Sequence, residues 1–211
     1  MRSMRVKRLK LSEIKDIYRK YLFYDFPVEE RRPLPRISKY FREHNYEGYG
    51  GYDEEGRLLC YAFFYVHKYR TAGPDGKQIR KKVCLLDYLA VMRSSRDSGV
   101  GSGFLKELVR HFAGKEDLVF IEVENADFAG TPEEKATRER RMAFYLRNGM
   151  IDTGVCSLVW TVEYRIIEMD FAKAGAAGWK PHTPEEIREA CERTYHSMFP
   201  PFLYEHYIEV R

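Results

Sequence analysis

Apolar positions recur along this chain with two periods, and the alternation between them predicts an ordered series of helices and strands. Ile14, Ile17, Tyr18, Tyr21 and Leu22 share one face at helical spacing, with Ser12 as the cap and Phe26-Pro27 as the stop. Residues 37–44 read as a second short helix. Residues 46–52 and 58–66 read as strands joined by the hairpin composition Asp53-Glu54-Glu55-Gly56, and Gly73-Pro74-Asp75-Gly76 makes a second reversal. Leu85, Leu86, Leu89, Ala90 and Val91 then form the apolar run of a buried strand. Phe104, Leu105, Leu108, Val109 and Phe112 return to helical spacing, and Gly114 is placed to end that helix. Residues 118–125 are the next strand. A helix lies between it and residues 85–91, so the two strands run parallel. Thr131-Pro132-Glu133-Glu134 carries an N-cap, a proline at the first helical position and a capping box, opening a helix that Asn148-Gly149 closes. Residues 150–155 and 157–171 read as two final strands. After the small-residue link 172–178, Thr183-Pro184-Glu185-Glu186 opens a last helix with Ile187, Cys191, Tyr195 and Met198 on one face. Residues 1–10 form an edge strand or an arm.

The polar stretch between the buried strand and its helix holds the candidate chemistry. In Arg96-Asp97-Ser98-Gly99-Val100-Gly101-Ser102-Gly103 three glycines alternate, which lets main-chain N–H groups point together without Cβ atoms in the way. The helix start behind them adds unpaired donors and the positive end of its dipole. Such a turn binds an anion, most often a phosphate. A P-loop is excluded because no lysine follows these glycines before Lys106, and a dinucleotide fingerprint fails because Phe104 or Lys106 stands where its third glycine belongs. What fits is Arg-x-x-Gly-x-Gly from Arg96 to Gly101, after a strand ending Leu89-Ala90-Val91. A bare glycine-rich turn is also an ordinary strand-to-helix connection.

Composition narrows the class. The 211 residues, 44% hydrophobic and 32% charged, describe a globular chain able to bury a good core. The net charge of +4 is no larger than the N-terminal decapeptide supplies, with five Arg/Lys and no acid. Only that arm could serve nucleic acid, so a nucleic-acid partner is not expected; were it one, affinity would fall steeply with salt and vanish without residues 1–10. Cys60, Cys84, Cys156 and Cys191 are widely spaced, with no zinc pattern, and read as reduced and mostly buried. No run is long enough for a membrane span or signal core, which predicts a cytoplasmic protein without a membrane partner or metal.

The element order, with Arg96–Gly101 after its strand and Phe144-Tyr145-Leu146-Arg147-Asn148-Gly149-Met150 at a later helix end, resembles the GNAT superfamily of N-acetyltransferases. The second stretch matches the family's Phe-Tyr-x-x-x-Gly-Phe, with methionine for the last phenylalanine. The resemblance covers residues 11–171 and implies an α/β fold with a mixed sheet. The chain is expected to hold an acetyltransferase domain over 1–171, then a linker and helical extension over 172–211 packed on the same domain. The implied activity is acetyl transfer from acetyl-CoA to a primary amine, by direct attack in a ternary complex.

The resemblance also implies roles for residues. Main-chain groups of Leu89, Ala90 and Val91, together with Asn125, would meet the pantetheine arm; Asn125 reads equally as a turn residue ending its strand. The N–H groups of Arg96, Asp97, Ser98, Gly99, Val100, Gly101 and Ser102 would hold the diphosphate, with the Arg96 side chain adding charge. An N–H near Val91 would serve the oxyanion, and Tyr145 matches the family's acid for the departing thiolate. For the base, Asp87 is a carboxylate in an apolar strand, and Glu122 and Glu124 alternate with Ile121 and Val123 on one strand face. Glu122 and Asp87 are the expected bases, ahead of His67; Glu124 reads first as a partner of Arg140 or Arg141. A catalytically idle acyl-CoA-binding module, regulatory or scaffolding, is the alternative. The acceptor stays open: an acidic cleft favours a polyamine, aminoglycoside or lysine side chain, whereas Arg31-Arg32 favours an amine bearing an anionic group. Residues 179–211 pack on the sheet, lid the acceptor site or form a homodimer contact.

Overall fold

Two of the expected threonine caps form, and the reciprocal capping box is completed at Thr183, whereas the Glu134 carboxylate accepts from the Gly130 N–H instead of the Thr131 N–H. In the computed structural model, which describes residues 4–73 and 76–211, Thr131 accepts the Glu134 N–H and Thr183 the Glu186 N–H. These two caps start α5 (Pro132–Arg147) and α6 (Pro184–Met198). The fold is α/β with eight strands in the order β1-β2-β3-β4-β5-β7-β6-β8. Residues 1–3 of the expected arm, and Pro74 and Asp75 of the expected second reversal, lie outside the described residues.

The chain divides into two compact units. The first comprises Met1–Val66 and Leu86–Leu108, the second His67–Leu85 and Val109–Arg211. The first unit begins with β1 (Arg5–Arg8), paired antiparallel with β2 (Tyr46–Tyr52), which pairs with the first part of β3 (Leu58–Ala72). Its core is aromatic: Tyr46, Tyr49, Tyr61, Phe63, Phe64, Tyr65 and Phe104 are fully buried. Three helices accompany these strands. The first, α1 (Leu11–Ile17), is capped at Lys10 rather than Ser12, because the Glu13 carboxylate reaches back to the Lys10 N–H at 2.7 Å. It runs through a π-helical turn (Tyr18–Leu22) into the short α2 (Phe23–Asp25). The wider turn rotates the register, so Ile14, Ile17 and Leu22 are buried as expected while Tyr21 is turned out. Then α3 (Leu34–Arg42) starts directly after Pro33, three residues earlier than its apolar pattern suggested. The unit also holds the end of β4 (Gln78–Val91) and the start of α4 (Val100–Phe112).

In the second unit, β5 (Leu118–Glu124) pairs antiparallel with β7 (Val162–Met169), and β7 with β6 (Met150–Val159). The turn between β6 and β7 falls at Trp160-Thr161, not near Cys156 as expected. Asp152-Thr153-Gly154, expected within the strand 150–155, forms a bulge, with Gly154 at φ +75° and the register shifting between Asp152 and Cys156. Helix α6 buries Ile187, Cys191, Tyr195 and Met198, the face its spacing marked, and packs on β6. The chain ends with α7 (Pro201–Tyr207) and a strand absent from the expected order, β8 (Ile208–Val210), antiparallel to β6. Cys60, Cys84 and Cys191 are buried thiols, and Cys156 is a half-buried one. Among the described residues no helix is long and apolar enough to cross a membrane. The same residues contain no group of three or more His, Cys, Asp or Glu able to hold a metal ion.

Candidate active site

The glycine stretch is a loop and helix start whose main-chain donors are mostly unengaged. Val91 ends β4, a 3-10 turn spans Arg93–Ser95, and α4 begins at Val100. The Arg96 N–H reaches Arg93 O at 3.4 Å and the Gly103 N–H bonds Gly99 O at 3.0 Å. Between them, among the described residues, the amides of Asp97 to Ser102 make no hydrogen bond of good geometry to protein atoms. Asp97 at φ 59° and Gly99 at φ 78° are left-handed on either side of Ser98. That alternation turns successive N–H groups to one side, as in an anion-binding nest. Of the three glycines only Gly99 needs its freedom; Gly101 and Gly103 are helical, and the second left-handed position is taken by Asp97, a residue type that tolerates it. Ser98 Oγ donates to Ser95 O at 2.6 Å and helps hold the turn.

Around this loop in the same unit, Arg96 is half exposed. Its Nε donates to Val91 O at 3.3 Å, and its Nη2 lies 3.8 Å from Asp25, which accepts from the Tyr61 hydroxyl at 3.1 Å. Leu89, Ala90 and Val91 are half-buried at the strand end, where the Met92 N–H bonds Leu59 O at 2.8 Å. Asp87 does not face an open cleft. Its carboxylate takes two bonds from the buried Arg32 guanidinium, at 3.0 and 3.2 Å, and a third from the Tyr46 hydroxyl. Burial would lower the Arg32 pKa, but the Asp87 carboxylate overrides it and holds the guanidinium above its ordinary value. Tyr88 adds a second clamp, accepting from the Arg32 N–H at 2.6 Å and donating to Glu30 O at 2.9 Å.

The remaining candidates belong to the second unit. On β5, Glu122 and Glu124 are drawn to different helices. Tyr195 of α6 donates to Glu122 Oε1 at 2.5 Å, while Glu124 pairs with Arg141 at 2.6 Å and Arg138 at 3.3 Å. Arg141 was one of the two partners expected for Glu124; Arg138 was not foreseen. Asn125 is buried just past the strand. Its N–H donates to Glu163 O at 2.7 Å, its carbonyl accepts from Arg138 at 2.9 Å, and its Oδ1 caps the 3-10 turn Ala126–Phe128 through the Asp127 N–H. Tyr145 sits buried in the last turn of α5, before Asn148 and the left-handed Gly149 that ends it. Its hydroxyl has no hydrogen-bond partner among the described residues, and burial, countered by Arg141, pushes its pKa up to about 12. His67 lies on β3, stacked on Tyr69 at 5.3 Å.

No family model matches the chain, and no curated protein matches it in sequence. Solved structures do. One is a chimera of the spermidine N-acetyltransferase SpeG from Vibrio cholerae and hSSAT, 9% identical, aligned over 81% of this chain and 97% of that chain with a TM-score of 0.53. Another is the spermidine/spermine N-acetyltransferase SpeG from Vibrio cholerae in complex with manganese ions, 7% identical over 83% and 97% of the two chains, also at 0.53. This chain has the GNAT fold.

Within that fold, both stretches that carried the resemblance stand where the GNAT order puts them. Arg96–Gly101 joins β4 to α4, and Phe144–Gly149 closes α5. The GNAT resemblance pointed neither to Arg32 nor to Arg138 and Tyr195, each of which grips one of the expected residues. Tyr195 was legible as part of the apolar face of α6. Its hydroxyl gave no sign of its partner, because the pair is 73 positions apart in the chain.

Proposed function

We propose that this chain is an acetyl-CoA-dependent N-acetyltransferase that passes the acetyl group to a primary amine by direct attack within a ternary complex. The observation that carries this reading is the run of unengaged amides from Asp97 to Ser102 at the start of α4, in a chain with the GNAT fold. Main-chain donors that no atom of the described residues satisfies suit the oxygens of a diphosphate, and Arg96 beside them adds a positive charge. Leu89 to Val91 and Asn125 would meet the pantetheine arm; the Asn125 side-chain NH2, which has no partner among the described residues, is the part available to do so. When bound, the co-substrate supplies an acetyl group activated as a thioester.

The chain's own groups supply the proton transfers. Tyr145, protonated far beyond neutral pH, would donate to the departing sulfur. Glu122 would take the proton of the attacking amine. Asp87, gripped by Arg32 and Tyr46, serves instead to fix the 28–33 segment to β4, so Glu122 is the base we carry forward. The structural neighbours are spermidine N-acetyltransferases, which puts spermidine first in any acceptor panel. Coenzyme A release from acetyl-CoA, followed against spermidine, an aminoglycoside, a lysine peptide and an amino acid, is the test. Amine-dependent release supports the reading. Binding of coenzyme A without turnover on any amine would assign the chain as an idle acyl-CoA-binding module, and absence of binding would overturn both.

A further inference from the structure

The hydroxyl that grips Glu122 comes from α6, a helix beyond the last strand of the expected acetyltransferase order. Tyr195 is 1% exposed and its setting is rigid. The Thr183–Glu186 capping box starts the helix, and Ile187, Ala190, Cys191, Thr194 and Met198 bury the same side. The Tyr195 ring meets Phe120, two residues before Glu122 on β5, edge-on at 6.4 Å. Ser157 of β6, fully buried, lies 3.2 Å from the Tyr195 oxygen. A phenol has one proton, and here it points at Glu122, so Ser157 must be the donor to Tyr195. Two hydrogen bonds thus run in series, Ser157 to Tyr195 to Glu122, each polarising the next toward the carboxylate.

We infer that Tyr195 is a positioning residue for Glu122, holding its carboxylate in one orientation and in its ionised form for removal of the acceptor's proton. The inference rests on the reading of Glu122 as the base. Tyr195 stays a donor throughout the working range, because burial and then the Glu122 carboxylate push its pKa well above the ordinary value. Further neighbours bear on the Tyr195–Glu122 pair. Cys191, one helical turn earlier, is a neutral thiol for the same two reasons, with Glu192 adding to the effect. Ile166, opposite Glu122 on β7, is apolar, and Arg138 and Arg141 of α5 are on Glu124. A donor to a carboxylate favours its charged form, so removing the phenol proton makes the carboxylate a stronger base that is protonated at higher pH.

The test compares full-length Glu122→Gln, Tyr195→Phe and Ser157→Ala, with the pH profile of kcat/KM as the main readout and coenzyme A affinity as the control. Glu122→Gln is expected to lower kcat/KM about a hundredfold or more and to erase the acid limb. Tyr195→Phe is expected to leave coenzyme A affinity unchanged, lower kcat severalfold and move the acid limb up by about one pH unit. Ser157→Ala moves it the same way by less. The carboxyl 13C titration of Glu122 in the free protein gives the same readout without turnover. Should Tyr195→Phe fold poorly, 3-fluorotyrosine at position 195, a stronger donor of nearly the same shape, must move the limb to lower pH. If Glu122→Gln is inactive but neither change at Tyr195 moves the limb or the 13C titration, the positioning role is overturned and the base assignment stands. If Glu122→Gln keeps its activity and acid limb, the base assignment itself falls.

Discussion

Two strand ends were expected to meet the same ligand, and they are built in opposite ways. After β4 the chain enters a loop in which Asp97 and Gly99 are left-handed and six successive amides, from Asp97 to Ser102, have no acceptor among the described residues. After β5 it enters a turn in which nearly everything is engaged: Asn125 uses its N–H, its carbonyl and its Oδ1 on Glu163, Arg138 and Asp127. The first end is organised by backbone conformation and leaves its donors for something else. The second is organised by the Arg138 guanidinium and leaves fewer donors over, the Arg138 Nε and the Asn125 NH2, among the described residues. An unsatisfied set of polar groups marks a binding site better than proximity to one does, because protein interiors leave few such groups unpaired.

Breaking the β5 end should cost stability first. Arg138→Met leaves the Asn125 carbonyl without its buried partner and Glu124 with Arg141 alone, and urea unfolding should show a loss of about 1–3 kcal/mol. Coenzyme A affinity per folded molecule should stay close to that of the parent protein. Gly99→Val should do the reverse. No atom lies within 4 Å of the added Cβ, so the penalty is conformational, and the loop can relieve it by leaving the left-handed region. Thermal stability should hardly change, while calorimetry should show coenzyme A binding weakened by about tenfold to a hundredfold, the equivalent of 1–3 kcal/mol of backbone strain. Equal loss of affinity in both variants would erase the distinction between the two ends.

Two smaller effects sharpen it by pH. The Tyr145 phenol should titrate near pH 12 in ultraviolet difference spectra, against about 10 for a free tyrosine. Its folded pKa is raised, so the stability contributed by the protonated form is complete below pH 10 and is lost as pH rises toward 12; Tyr145→Phe should remove that alkaline loss. His67 has the opposite sign. Burial, then Arg193, lowers its pKa, so the folded state favours the neutral ring and stability falls as pH drops through about 6.5. The ring is partly exposed, so screening keeps this below about 1 kcal/mol, and His67→Gln should flatten it. That control separates an acid limb of activity from a loss of folded protein.

Features written in a few adjacent residues were legible in the sequence. The N-cap at Thr131, the capping box at Thr183, the stop at Asn148-Gly149 and the loop at Arg96–Gly101 each act over one or two turns of chain. Local signals also misled where tertiary pairing decided the outcome. The last two strands were expected to part at Cys156, but pairing of β6 with β7 carries β6 on to Val159. The three residues of β8 are too short a run to read as a strand, and antiparallel pairing with β6 makes them one. The partners that define the candidate site are the extreme case. Arg32 meets Asp87 across 55 positions and Tyr195 meets Glu122 across 73, and neither pair leaves a periodicity to read.

The claim that the β4 loop is an anion cradle is tested most directly by amide spectra of the 15N-labelled chain during titration with coenzyme A and, separately, with pantetheine. The amides of Asp97 to Ser102 are predicted to shift together with coenzyme A and to stay in place with pantetheine, which lacks the diphosphate. Unmoved loop amides at a coenzyme A concentration that saturates the rest of the spectrum would contradict the account.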